Sequence, residues 1–238
     1  ETKGSGVELS LNTIIVNSKD FKWDVNWTAS FSKDEITKLS NGITKNISGK
    51  TGQIIGKPVN IFYDYEADGC WGVGEYDTYK AAWLERHPGE TLAITGDPGT
   101  IKIIDANDDG KLSEDDKHVY NRSPKAVLGM NNSFSYKNFS LSVLLYARLG
   151  GYLSYDFNSL VTYDGSNWGD LDYWTPENQG AKFPTPGNST NWSTYGSAAY
   201  YEKASYVKIK DITLSYNLPK TPLSKIGVGN ARLYGSLK

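Results

Sequence analysis

The sequence predicts an all-β chain: a partial wall of a transmembrane, antiparallel, up-and-down β-barrel, about six long strands joined by long extracellular loops. Three observations predict it. Apolar and polar residues alternate with a period of two along most of the patterned segments. The alternating runs are often ten residues or longer, beyond the usual strand of about 5–6 and close to the roughly 9–11 needed to cross a bilayer. The connections alternate short and long, as they do in an outer-membrane barrel with brief turns at one rim and long loops at the other.

The first strand is predicted near 5–16, with Val7, Leu9, Leu11, Thr13 and Ile15 on one face and Glu8, Ser10, Asn12 and Ile14 on the other. The turn Asn17-Ser18-Lys19-Asp20 follows. The second strand, near 20–31, sets Phe21, Trp23, Val25, Trp27, Ala29 and Phe31 against Lys22, Asp24, Asn26, Thr28 and Ser30. A hairpin over 126–136 and 139–149 turns at Lys137-Asn138. The last pair is near 204–218 and 230–237. In its first member Val207 and Ile209 share a face, whereas Ile212, Leu214 and Tyr216 have the opposite parity. A β-bulge near Lys210-Asp211 restores one apolar face. Long loops are expected at 32–125, with a small hairpin around Gln53 to Tyr65, and at 151–203. The whole of 1–238 is expected to be one fragment of a barrel domain, because both ends read as interrupted strands.

Composition narrows the classes. The net charge is −2, which argues against a nucleic-acid partner. Seventeen Tyr and seven Trp suit surfaces that are apolar at one end and wet at the other, as at membrane interfaces and sugar-binding surfaces. One cysteine excludes an internal disulfide. No apolar run reaches the roughly 18 residues of a spanning helix.

The segment from Asp105 to Asp116 has the ligand order of a calcium loop. Asp105, Asn107 and Asp109 alternate, Gly110 supplies the sharp turn, the backbone carbonyl of Lys111 adds an oxygen, and Asp116 closes the loop where a helical calcium loop would carry Glu. All donors are oxygens, which suits a hard cation. A structural Ca2+ is expected; the bland alternative is an acidic, solvated turn.

Five stretches, in order, resemble the SusC/RagA family of TonB-dependent outer-membrane transporters. Tyr206-Val207-Lys208-Ile209-Lys210-Asp211-Ile212-Thr213-Leu214-Ser215-Tyr216-Asn217-Leu218-Pro219 resembles a late barrel strand of that family. Gly4 to Thr13, Ile55 to Gly69, Gly99 to Asp116 and Trp174-Thr175-Pro176-Glu177-Asn178 resemble four others. Asp108 stands where the family usually has Gly, and Ser215 replaces another common Gly. The resemblance covers nearly the whole chain, with the plug domain and the remaining strands absent.

The resemblance implies energised import across the bacterial outer membrane of nutrient oligomers, most often oligosaccharides and in some members peptides. It implies a SusD-like lipoprotein as lid, the TonB complex acting through the absent plug, and a lipid bilayer around the strands. No enzyme is expected, since neither His87 nor His118 lies in a triad or zinc spacing. Trp168, Trp174 and Trp192 are the candidate ligand-stacking rings. The alternative from another class is a soluble, calcium-stabilised extracellular β-domain that binds glycans.

Overall fold

The computed structural model describes residues 1–154, 172–186, 194–219, 221 and 227–238. The chain runs β1 (Thr2–Asn17), β2 (Phe21–Ile36), β3 (Lys45–Ser48), β4 (Thr51–Ile54), β5 (Ile61–Tyr65), β6 (Ala67–Cys70), α1 (Glu75–Arg86), β7 (Ile101–Ile103), β8 (Lys117–Asn121), β9 (Ala126–Tyr136), β10 (Phe139–Leu149), β11 (Tyr152–Ser154), β12 (Tyr201–Lys203), β13 (Tyr206–Asn217) and β14 (Arg232–Leu237). It divides into two compact units. One comprises Glu1–Thr37, Ser123–Gly151 and Ala204–Lys238; the other comprises Lys38–Arg122 and Tyr152–Lys203.

The first unit is a six-stranded antiparallel meander in the order β1-β2-β9-β10-β13-β14. The sheet is not closed. Its register explains the alternation in the sequence. Leu11, Trp27, Met130, Leu145 and Ile209 form one apolar row across five strands, and Leu9, Ala29, Leu128, Ala147 and Val207 form the next. The row nearest the short turns is aromatic, with Phe21, Tyr136, Phe139 and Tyr216. Rows recur every second residue, so the apolar band is about 33 Å along the strands, or about 25 Å at a typical barrel tilt. The other face carries Asn12, Asn26 and Asn131 in one row, with Ser142 Oγ donating to Asn131 Oδ1 at 3.0 Å.

Two bulges keep that band continuous. Leu144 pairs with Asp211 and Leu145 with Ile209, so Lys210 is the extra residue in β13, where the change of parity predicted it. Val207 and Ile209 thereby share a face with Ile212, Leu214 and Tyr216. The second bulge corrects the predicted face of β1. Ile14 pairs with Asp24 and Val16 with Trp23, which leaves Ile15 off the ladder. Val16, not Ile15, therefore occupies the apolar row opposite Trp23. The near-uniform apolar run Ile14-Ile15-Val16 gives no parity break to read. The strand predicted near 20–31 runs on to Ile36, whose side chain is buried.

The second unit occupies the two segments predicted as loops, and they hold regular structure. An antiparallel sheet runs β3-β4-β5-β8, with two-stranded sheets β6-β7 and β11-β12 and the helix α1. The expected hairpin between Gln53 and Tyr65 is the β4–β5 pair, joined at Thr51 and Phe62. Ile101, Ile103, Ala198 and Ala199 form its core, flanked by Tyr65 and Phe183. A buried carboxylate ties the two sequence segments together. Asp64 Oδ2 accepts from the Ser197 hydroxyl and from Tyr201 OH (2.9 Å) and lies 3.3 Å from Lys50 Nζ, and Oδ1 accepts from Tyr65 N at 2.9 Å. Burial, and then the Asp64 charge, push the Tyr201 phenol well above its ordinary pKa, so it remains a donor.

Candidate metal loop and its surroundings

The Asp105–Asp116 loop is seated on α1. The helix follows from its residues: Tyr76, Tyr79 and Trp83 recur at three- and four-residue spacing, Glu75 and Asp77 favour its N-terminal turn, Arg86 its last, and His87-Pro88-Gly89 ends it. Trp83 is 0 % exposed. A Cβ on Gly110 would lie 2.5 Å from Trp83 Cζ2, and Gly110 itself has φ +76°. Both the backbone angle and the indole contact therefore require glycine here. The Gly110 carbonyl also accepts the N–H groups of Ala93 (2.7 Å) and Ile94 (3.0 Å).

Inside the loop the polar side chains turn onto the backbone. Asp105 Oδ1 accepts from Asp109 N (3.2 Å) and Oδ2 from Gly110 N (2.8 Å). Asn107 Oδ1 also accepts from Asp109 N, and Asp109 Oδ1 accepts from Lys111 N, both at 3.1 Å. Asp116, buried, spans the loop ends: Oδ1 accepts from Ala106 N (2.9 Å) and Oδ2 from Ser113 N (2.7 Å). Asp116 thus completes a capping box with Ser113 on the short 3-10 turn that closes the loop. Asp108 adopts φ +56°, a backbone angle that glycine takes most readily, and pairs with Arg86 Nη2 at 3.0 Å. Burial, and then the charges of Asp116 and Asp109, act to raise the Asp105 pKa, against the lowering effect of the two N–H bonds.

Among the described residues no three of His, Cys, Asp and Glu converge tightly enough to hold an ion as the side chains stand. The donor set still suits a hard cation: Asp105, Asp109 and Asp116 bring carboxylates and Asn107 an amide oxygen to one short loop. Each carboxylate oxygen that accepts one N–H keeps a second lone pair. Lys111 is seen here through its N–H rather than its carbonyl.

The three candidate ligand tryptophans fare differently. Trp168 and Trp192 lie outside the described residues. Trp174 is 6 % exposed and packs with Cys70 and Ala181. Its backbone N–H donates to Phe183 O, and a Cβ on Gly99 (φ +81°) would lie 2.8 Å from its ring Cε3. Its ring is therefore interior packing in this structure. Sequence reasoning missed α1 and the Asp64 network. The aromatic spacing 76-79-83 was the available signal for the helix; nothing local marks Asp64, whose partners Ser197 and Tyr201 are more than a hundred residues away.

No family model matches the chain. Among curated proteins, TonB-dependent receptor P3 of Formosa agariphila is 28 % identical over 248 residues, 99 % of this chain and 24 % of that protein. TonB-dependent receptor SusC of Bacteroides thetaiotaomicron is 27 % identical over 239 residues, 98 % of this chain and 22 % of that protein. The chain thus spans about a quarter of the length of the curated relatives it matches. Among solved structures, the RagAB peptide transporter covers all of the chain at TM-score 0.69 and 23 % identity, over 26 % of that chain. The RagAB importer in its open-open state covers it at TM-score 0.70 and 22 % identity, over 25 % of that chain. Over 98–99 % of its length the chain is similar to TonB-dependent receptors, SusC among them, and its open six-stranded meander has the fold of the matching part of the RagAB transporter structures.

Proposed function

We propose that the chain forms part of an outer-membrane, TonB-dependent importer of nutrient oligomers. The observation that carries this is the continuous apolar band, about 25 Å deep at barrel tilt, on one face of a six-stranded meander with a polar opposite face. The likeness to SusC and to RagAB supports the same reading. The work of this portion is to form wall and to carry the Lys38–Arg122 and Tyr152–Lys203 unit, not to catalyse a reaction. Oligosaccharides are the favoured cargo, on the aromatic content of the chain and the SusC likeness. Peptides are the competing class, on the RagAB likeness. A SusD-like surface lipoprotein is the proposed lid, and TonB the energy source.

We further propose that the Asp105–Asp116 loop holds a structural Ca2+ through Asp105, Asn107, Asp109, the Lys111 carbonyl and Asp116. The buried Trp83 ring against Gly110 gives a direct readout, because indole sensitises bound Tb3+ at short range. Excitation of the full-length parent with Tb3+ should give terbium emission that Ca2+ displaces. Asp109→Ala should abolish it, and emission unchanged in that variant would remove the site.

The import reading is tested by fractionating cells that carry the full-length parent, then purifying it in mild detergent. Recovery in the outer membrane with a lipoprotein partner is expected. A soluble, monodisperse parent without detergent would overturn the reading and favour a calcium-stabilised glycan-binding module.

A further inference from the structure

The second unit contains a cleft of about 250 Å³ beside the Asp105–Asp116 loop, and the loop itself supplies part of its rim. Its walls are Asp68, Trp71, Glu75, Tyr79 and Lys102, with Asp105 and Asp108 at the edge. Trp71, 3 % exposed, forms the floor. Tyr79 stands 5.4 Å from it, ring centre to ring centre, and is the partly exposed aromatic wall. Lys102 Nζ lies across the cleft, 2.7 Å from Asp68 Oδ2 and 2.9 Å from Glu75 Oε1.

Two features indicate what could enter. The Tyr79 hydroxyl makes no hydrogen bond among the described residues, although it stands close enough to Asp105 and Asp108 for their charges to raise its pKa, after burial. The fixed charges are also largely paired before anything binds: Lys102 with Asp68 and Glu75, and Arg86 with Asp108. A cationic ligand would have to displace Lys102, and an anionic one would meet four carboxylates. A neutral polyhydroxylated ring meets neither obstacle. It can present its C–H face to Tyr79 and its hydroxyls to Asp68, Lys102 and the Tyr79 phenol.

We propose that this cleft is a binding subsite for one ring of a neutral oligosaccharide, with Tyr79 as the stacking wall and Asp68 and Lys102 as the hydroxyl-binding pair. The proposal rests on the oligosaccharide reading of the cargo and adds where on this chain such a cargo is touched. The volume matches about one pyranose ring, so neighbouring sugar units would lie outside the cleft.

The test is calorimetric titration of the detergent-purified full-length parent with neutral hexasaccharides of glucose, xylose, mannose and galactose, and with a lysine tetrapeptide as contrast. At least one hexasaccharide should bind. Tyr79→Ala should weaken that binding by about tenfold, the scale of one lost aromatic contact. Tyr79→Phe should weaken it less, and Asp68→Asn, at a side chain 65 % exposed and thus safe for folding, should weaken it several-fold. Unchanged sugar affinity in both Tyr79→Ala and Asp68→Asn would overturn the subsite while leaving oligosaccharide import intact. Binding of the tetrapeptide with no hexasaccharide bound would overturn both.

Discussion

The Trp23 indole N–H donates to Asn132 Oδ1 at 3.3 Å, across the junction of β2 and β9 and within the apolar face of the sheet. Asn132 is only 6 % exposed, with Val25 directly opposite it and the Trp23 ring stacked on Phe134 at 5.5 Å. A polar amide in an apolar band is costly unless it is bonded, and Trp23 supplies the bond while its ring extends the apolar surface.

Trp23→Phe should therefore destabilise the parent by about 1–3 kcal/mol, the cost of leaving a buried acceptor without a donor. Asn132→Leu in the same background should recover most of that loss, because the group needing the bond is then gone. A double-mutant cycle on urea unfolding in lipid vesicles measures the coupling. Strict additivity would mean that the two side chains act independently.

The meander was legible because its signal is local and repeated. Each strand of β2, β9 and β10 declares its own faces, and the parity break at Val207-Ile209 against Ile212-Leu214 marks the Lys210 bulge outright. The Ile15 bulge was illegible because its neighbours on both faces are apolar, so a slip of one residue changes no polarity. The Asp105–Asp116 segment shows a ligand order in the sequence, but not its seat: that Gly110 needs to be glycine against Trp83, as well as for its own turn, depends on a contact between residues far apart in sequence. The burial of Trp174 against Cys70 and Ala181 is hidden from the sequence for a related reason, since it is set by tertiary packing.

Gly110→Ala carries two penalties, a left-handed backbone at φ +76° and a methyl group within 2.5 Å of the Trp83 ring. The expected loss is about 1–3 kcal/mol. It should appear as new proteolytic cuts between Asp105 and Asp116 in the parent, with the outer-membrane yield of the barrel largely kept. Gly49→Ala, at φ +60° with open space around its Cβ, controls for backbone strain alone. Equal sensitivity in the two variants would dismiss the Trp83 contact.

Glu75 links acidity to the start of α1. Its carboxylate accepts from Gly72 N at 2.8 Å and pairs with Lys102 at 2.9 Å; the Gly72 N–H first, then Lys102, holds its pKa below the ordinary value. A depressed carboxylate stabilises the folded state above its unfolded pKa and loses that contribution as the pH falls through its folded value. Gly72 and Val73 amides should therefore lose protection against hydrogen exchange below about pH 4, the ordinary Glu range, after correction for intrinsic rates. Glu75→Gln should show lower protection near neutral pH and a flatter profile. An identical pH profile in the variant would remove Glu75 as the source.

Ile209, beside the Lys210 bulge, offers the sharpest test of which face meets lipid. As the bulge residue Lys210 lets Val207 and Ile209 lie beside Ala147 and Leu145 while Ile212 and Leu214 lie beside Val143 and Leu141, all on one face. Deleting it leaves a regular ladder in which Asp211 still faces Leu144 and Ile209 still faces Leu145, so the apolar face is kept. Ile209→Lys, by contrast, sets a lysine inside the apolar band itself. A lysine at that depth costs about 2–4 kcal/mol in a membrane barrel wall, with the lost apolar contacts in addition. The parent with Lys210 deleted should assemble normally, whereas Ile209→Lys should sharply lower the heat-modifiable, outer-membrane-inserted parent protein. Normal insertion of Ile209→Lys would mean that the apolar face of this sheet is not the face that meets lipid.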